Sequence, residues 1–167
     1  MNLMYAMSVP VFAKSLGQLS AILDKAAAYA EAKKVDPSVL LTARLYPDMF
    51  AFTKQVQVAC DFAKGTVARL AGQEPPKYDD NEASIADLKA RIARTVDYIQ
   101  GFTEAQFADS EVRDVALKIR DQTITYRGLG YLSHVALPNS FFHMTTAYDI
   151  LRHNGVELGK RDFIGTV

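Results

Sequence analysis

The sequence predicts an all-α fold, a bundle of long helices interrupted by one small β-hairpin. Three observations carry this expectation. Apolar residues recur at steps of three or four along four stretches of the chain, as amphipathic helices require. Glycines follow the ends of these stretches at Gly72, Gly101 and Gly155, where a helix is most easily stopped. Only residues 112–126 change to a period of two.

The first long helix is expected from about Ser8 or Pro10 to Lys34. Ser8 can cap it, and Pro10 is tolerated in a first turn whose amides lack partners anyway. Phe12, Leu16, Leu19, Leu23, Ala26 and Ala30 form its stripe, widened by Ser15, Ile22 and Tyr29. Gly17 either weakens this helix or permits a close approach. Asp36-Pro37 reads as the cap and first residue of a short turn of helix. Pro47 is expected to open a second long helix reaching about Ala71, with Met49, Phe52, Val56, Ala59, Ala63, Val67 and Leu70 inward. Asp48 and Gln55 would then share one edge of its inner face.

Gln73 to Ala83 is long for a helix–helix loop, so it is expected to cross the bundle along its surface. Ser84 to Asp87 resembles a capping box and opens a third helix, with Ile85, Leu88, Ile92, Val96 and Ile99 inward. Thr103 to Phe107 adds a short turn. Val115, Leu117 and Ile119 alternate with polar or small residues, and Thr123 to Tyr126 is rich in β-branched residues. These two runs predict a hairpin turning at Asp121-Gln122. The last helix holds His134, Pro138 and His143, with a kink or delayed start at Pro138. Phe141, Met144, Tyr148 and Leu151 share one face of it, and Asn154-Gly155 ends it. Lys160, Arg161 and Asp162 read as a solvated tail.

A chain of 167 residues suits one domain spanning 1–167. Nineteen basic and nineteen acidic side chains balance, so no global field favours nucleic acid or an anionic membrane. No basic run interleaved with aromatics appears, and nucleic-acid binding is not expected. The single cysteine, Cys60, excludes an internal disulfide and fits a reducing compartment; it reads as a small core residue. The first residues have no positive flank and no long apolar run, unlike a signal peptide. Nowhere do eighteen uninterrupted apolar residues occur, so no spanning helix is expected and the cytoplasm is the default location.

The run Leu137-Pro-Asn-x-Phe-Phe-His-x-Thr-Thr-Ala-Tyr-x-Ile-Leu-Arg-x-Asn-Gly155, followed by Gly159-Lys-x-Asp-Phe163, resembles a branch of the DinB/YfiT-like superfamily. That branch is known only as a domain of unknown function. Leu45-Tyr-Pro-Asp-Met49 and Gln55-Val-Gln57 extend the likeness over nearly the whole chain. The resemblance implies a four-helix bundle with a long crossover, often dimeric, so a homodimer is expected. In the wider superfamily three histidines bind a divalent metal, and members with the full set include thiol-dependent transferases and isomerases. Matched residue by residue, His143 falls on one of those histidines, Asn139 on a second, and Gln55 is the nearest counterpart of the third.

The chain thus departs from the metal pattern at two positions of three. Neutral Asn and Gln carbonyls are poor partners for zinc or nickel. His134 lies about 900° around the helix from His143, and His153 is too far along the axis to share an ion. The expectation is therefore no cofactor, with a Zn- or Ni-dependent enzyme related to the thiol transferases as the alternative. In the favoured reading the bundle binds a small polar ligand or a partner through its cavity, where Gln55, Asn139 and His143 offer hydrogen bonds and Tyr46 and Asp48 stand at the mouth. The plainer reading has the three amide and imidazole groups bonding one another to fix helix register, since buried polar groups need partners whatever the function. The residues leave open whether any catalysis occurs.

Overall fold

A computed structural model describes residues 1–166, the Ile119 side chain excepted. The chain is mostly helical with one two-stranded antiparallel sheet. Its α-helices are α1 (Leu3–Ala6), α2 (Val9–Lys33), α3 (Pro37–Thr42), α4 (Phe52–Leu70), α5 (Ile85–Gln100), α6 (Gly128–Tyr131), α7 (Leu137–His153) and α8 (Lys160–Ile164). Strands β1 (Asp114–Ile119) and β2 (Gln122–Arg127) lie between α5 and α6. The long helices α2, α4, α5 and α7 enclose the core: α4 packs between α5 and α7, and α2 closes against α5.

The expected stripe of α2 is buried in full, from Phe12 to Ala30. This run begins within Leu3–Lys33, a stretch long and apolar enough to cross a membrane by length and composition. Its apolar face is instead spent on the core. A short helix, α1, went unforeseen ahead of it: Asn2 Oδ1 accepts from Tyr5 N at 3.1 Å and caps it. Ser8 does not cap α2, because its hydroxyl donates to Met4 O at 2.6 Å. Lys34 ends α2 in the left-handed region, at φ 54°. Asp36 caps α3 as expected, accepting from Ser38 N at 2.9 Å.

The second long helix starts later than Pro47. Met49 N donates to Tyr46 O and Phe52 N to Ala43 O, so residues 43–51 form a turn that ends at Ala51. Asp48 therefore stands outside the helix and shares no edge with Gln55. At α5, Ser84 Oγ accepts from Asp87 N at 3.1 Å, while Asp87 answers Ala83 N at 3.1 Å, a capping box displaced by one residue.

The hairpin is present, but its register pairs Ile119 with Gln122 and so places Arg120-Asp121 at the turn, one residue earlier than expected. Arg120 takes φ 55°, which a two-residue turn matching the strand twist demands. Val115 is buried and Leu117 packs against the core. At the expected irregularity near Pro138, α6 runs into α7 through a π-helical turn, Leu132–Ala136, and Pro138 stands in the first turn of α7. Proline lacks a donor and crowds the carbonyl one turn back, and a wider turn just ahead of Pro138 relieves both problems.

Within α7 the buried face is Ser140, Met144, Ala147, Ile150 and Leu151, whereas Phe141, expected inside, is exposed. Gly155 ends the helix at φ 95°, where an added Cβ would stand 2.8 Å from the Tyr29 hydroxyl. Lys160 and Arg161 are exposed, as expected, but they lie in a short helix rather than a loose tail: α8 packs on α2, and Asp162 pairs with Lys25 at 2.7 Å.

Candidate functional site

Helices α4 and α7 bring Gln55 and His143 together. His143 Nδ1 lies 2.7 Å from Gln55 Oε1, and Gln55 Nε2 donates to Phe50 O at 3.1 Å. Because the Gln55 amide spends its N–H on that carbonyl, its oxygen faces the ring, and Nδ1 must carry the proton. The lone pair is then on Nε2, which has no hydrogen-bond partner among the described residues and is not buried.

Gln55 is 1% exposed and His143 half-buried. Phe50 and Phe62 lie near-parallel to the imidazole at centroid distances of 6.5 and 6.0 Å, and Phe142 meets it edge-on at 5.3 Å. Burial disfavours the imidazolium and lowers the His143 pKa below 6.5. The result is a neutral, oriented imidazole offering one acceptor from an aromatic surround.

Asn139 does not join this pair. Its Nδ2 donates to Val135 O at 2.7 Å, one turn back along the same helix, rather than reaching His143. It lines a neighbouring cleft of about 430 Å³ with Asp61, Phe62, Arg69, Leu117, Lys118, Tyr131 and Val135. Phe62 borders both places. The plain reading, with all three groups bonding one another, thus holds only for Gln55 and His143. Tyr46 and Asp48 are exposed in the 43–51 turn, and neither bonds to Gln55, Asn139 or His143 among the described residues.

The aromatic surround was missed in the sequence, although Phe62 follows Gln55 by seven residues and so lies two turns along one face. Phe50 had no such signal, because it reaches His143 from a turn that the sequence reads as helix.

The divalent metal of the wider superfamily does not fit these residues. The His143 Nδ1 proton and the Gln55 oxygen occupy each other, and the Asn139 amide is turned away. Among the described residues, no three His, Cys, Asp or Glu side chains gather where they could hold an ion. His134 is exposed and bonds Ser133 Oγ at 2.7 Å, while His153 is exposed. Cys60 is wholly buried, and burial pushes its thiol up to about 12, which makes it inert.

A second polar centre escaped the sequence altogether. Arg91 on α5, 4% exposed, pairs with Asp61 at 2.9 Å, Asp80 at 3.1 Å and Glu82 at 2.8 Å. Lys64 also holds Asp61, at 2.6 Å, and Lys54 holds Asp80, at 2.5 Å. Tyr78 receives the Arg94 guanidinium 3.9 Å from its ring centre. These contacts fasten residues 73–83 between α4 and α5. Burial would raise the Glu82 carboxyl, but hydrogen bonds from Arg91 and Gln57 outweigh it and hold the group below its usual range.

Long helices, a small hairpin and a buried glutamine bonded to a half-buried histidine are the features to set beside known proteins. A solved structure described as a DinB family member from Shewanella denitrificans is 48% identical, covers 99% of this chain and 93% of that chain, and superposes with a TM-score of 0.94. Residues 4–164 match the Domain of unknown function DUF1993, and the chain belongs to that family. No curated protein matches it.

Proposed function

We propose that this chain is a binding module of DinB type, a four-helix bundle with a long crossover whose former metal position has become a hydrogen-bonding site for a small polar ligand. One observation carries the reading. Gln55 fixes the His143 tautomer and leaves Nε2 as an open acceptor among aromatic rings. A ligand N–H or O–H would bond Nε2 while its apolar part lies against Phe62 and Phe142. Asn139 supplies a further acceptor beside Phe62.

Nitrogen NMR of the His143 ring tests the site: a neutral ring protonated on Nδ1, titrating below about 6.5, is expected. Protonation on Nε2, or titration at the free-histidine value, rejects it. The competing reading is a divergent metal-dependent enzyme related to the thiol transferases. Stoichiometric zinc or nickel in protein purified without an affinity tag would establish that reading instead.

A cytoplasmic homodimer is part of the proposal. Phe50 and Phe142 are 51% and 56% exposed, and Tyr46 is 65% exposed, which suits a surface covered by a second copy. Light scattering at micromolar concentration decides this, and a monomer would remove the claim. The even charge balance gives no support to a nucleic-acid partner.

A further inference from the structure

We infer that the cleft lined by Asn139 receives the anionic end of a small amphipathic ligand, an aromatic or alicyclic carboxylate that meets Arg69 and lays its ring against Phe62, Leu117 and Val135. The inference deepens the binding reading above and rests on it only for Asn139. It starts from an unanswered charge. Arg69 is half-buried, forms no ion pair among the described residues, and makes one hydrogen bond, a long one of 3.4 Å to the Tyr131 hydroxyl. A guanidinium carries five N–H donors in a fork that matches a carboxylate. Asp61, the one carboxylate lining the cleft, is already held by Arg91 and Lys64 at 2.9 and 2.6 Å.

The position of Arg69 is built rather than incidental. Gly65 stands one turn earlier on α4, and a Cβ there would lie 2.4 Å from Arg69 Nη1. The missing side chain lets the guanidinium fold back along its own helix. Tyr131 is 1% exposed, and its hydroxyl, 3.3 Å from Thr66 Oγ1, gives the guanidinium a fixed neighbour. Lys118 adds a second cation from β1 at the exposed side. Elsewhere the lining is apolar, from Phe62, Leu117 and Val135. Asn139 gives one of its two N–H groups to Val135 O, and its oxygen remains to accept from a ligand hydroxyl or amide. About 430 Å³ is room for a two-ring molecule, and the charge arrangement selects an anion over a neutral analogue.

The test compares 1-naphthoate with its neutral counterpart 1-naphthamide, by calorimetry and by NMR contacts from the naphthyl protons to Phe62 and Leu117. The expected result is naphthoate binding at least about ten-fold tighter than naphthamide, with those contacts present. Arg69→Gln should abolish the preference by weakening naphthoate binding far more than naphthamide binding. If Arg69→Gln does not fold, Gly65→Ala replaces it, since alanine suits a helix and displaces only the guanidinium. Equal affinity for the two probes, contacts elsewhere on the surface, or a preference that survives the substitution overturns the inference. None of these results bears on the His143 tautomer, so the two readings fail separately.

Discussion

Removing the His143 imidazole would strand the Gln55 carbonyl, which is almost wholly buried, without a donor. His143→Ala should therefore cost roughly 1–3 kcal/mol, measured by denaturant unfolding. Gln55→Ala should be non-additive with it in a double-mutant cycle, whereas Asn139→Ala should add simply, because Asn139 bonds its own helix. The pH dependence has a definite sign. The folded pKa lies below the unfolded value of about 6.5, so the native state binds fewer protons. Stability from this group is complete above about pH 6.5 and is lost as pH falls from there through the lowered folded value. His143→Gln should flatten that portion of the curve, and an unchanged curve would show that the ring is not desolvated.

Two glycines separate local propensity from tertiary constraint at the level of the elements. Around Gly17, in the middle of α2, a Cβ would meet nothing within 4 Å. It therefore only weakens the helix, and Gly17→Ala should stabilise the protein by about 0.5–1 kcal/mol in thermal or chemical unfolding. Gly128, where β2 becomes α6, is the opposite case: a Cβ would lie 1.8 Å from Ser110 O. That carbonyl cannot yield cheaply, because Gly128 N bonds Arg113 O and Leu129 N bonds Glu111 O beside it. Gly128→Ala should cost about 3 kcal/mol or more, read by the same unfolding curves. The sequence made the α2 stripe, the α5 cap and the existence of the hairpin legible, because each follows from period or capping within a few residues. It could not place the start of α4. The Tyr46–Met49 turn satisfies the proline as well as a helix does, and Phe52 N settles the matter by reaching Ala43 O. The π turn was equally hidden, since a proline in a helical pattern says that something must give but not which turn widens.

In the molecule as a whole, the Arg91 cluster ties Asp80 and Glu82 to α4 and α5, and nothing in the sequence announces it. Arg91 occupies a buried position of an otherwise regular helix, and its partners Asp61, Asp80 and Glu82 come from three distances along the chain. Only the path of residues 73–83 brings them together. The Gln55–His143 pair was legible through resemblance, whereas Asn139 bonds Val135 O on its own helix rather than His143, because a side chain one turn away can satisfy itself on its own backbone. Arg91→Ala should cost roughly 3 kcal/mol, since it leaves the Glu82 carboxylate, its side chain only 9% exposed, without a cation and Asp61 and Asp80 with one lysine each. Arg91→Met should cost less if the aliphatic chain fills the space, a comparison that equilibrium unfolding can make directly. The acid limb follows from Glu82, whose folded pKa is depressed. Its contribution is present above the unfolded glutamate pKa of about 4.3 and disappears as pH falls through the lower folded value.

The way residues 73–83 are strapped down also governs how the native protein meets a protease. This segment is long, carries the exposed Lys77 and has no regular secondary structure, features that ordinarily invite trypsin. Cleavage, however, requires several residues on each side of the bond to leave the surface and lie extended in the enzyme. Tyr78, next to Lys77, is gripped by Arg94, and Asp80 and Glu82 are tied to Arg91. Native protein should therefore be cut after Lys77 slowly, at the rate at which the whole strap lets go. In Arg91→Met the same bond should be severed much faster under native conditions, with the helices on either side still folded. Mass spectrometry of the early fragments reads the difference, and equal cutting rates in the two proteins would mean that these contacts do not restrain the segment.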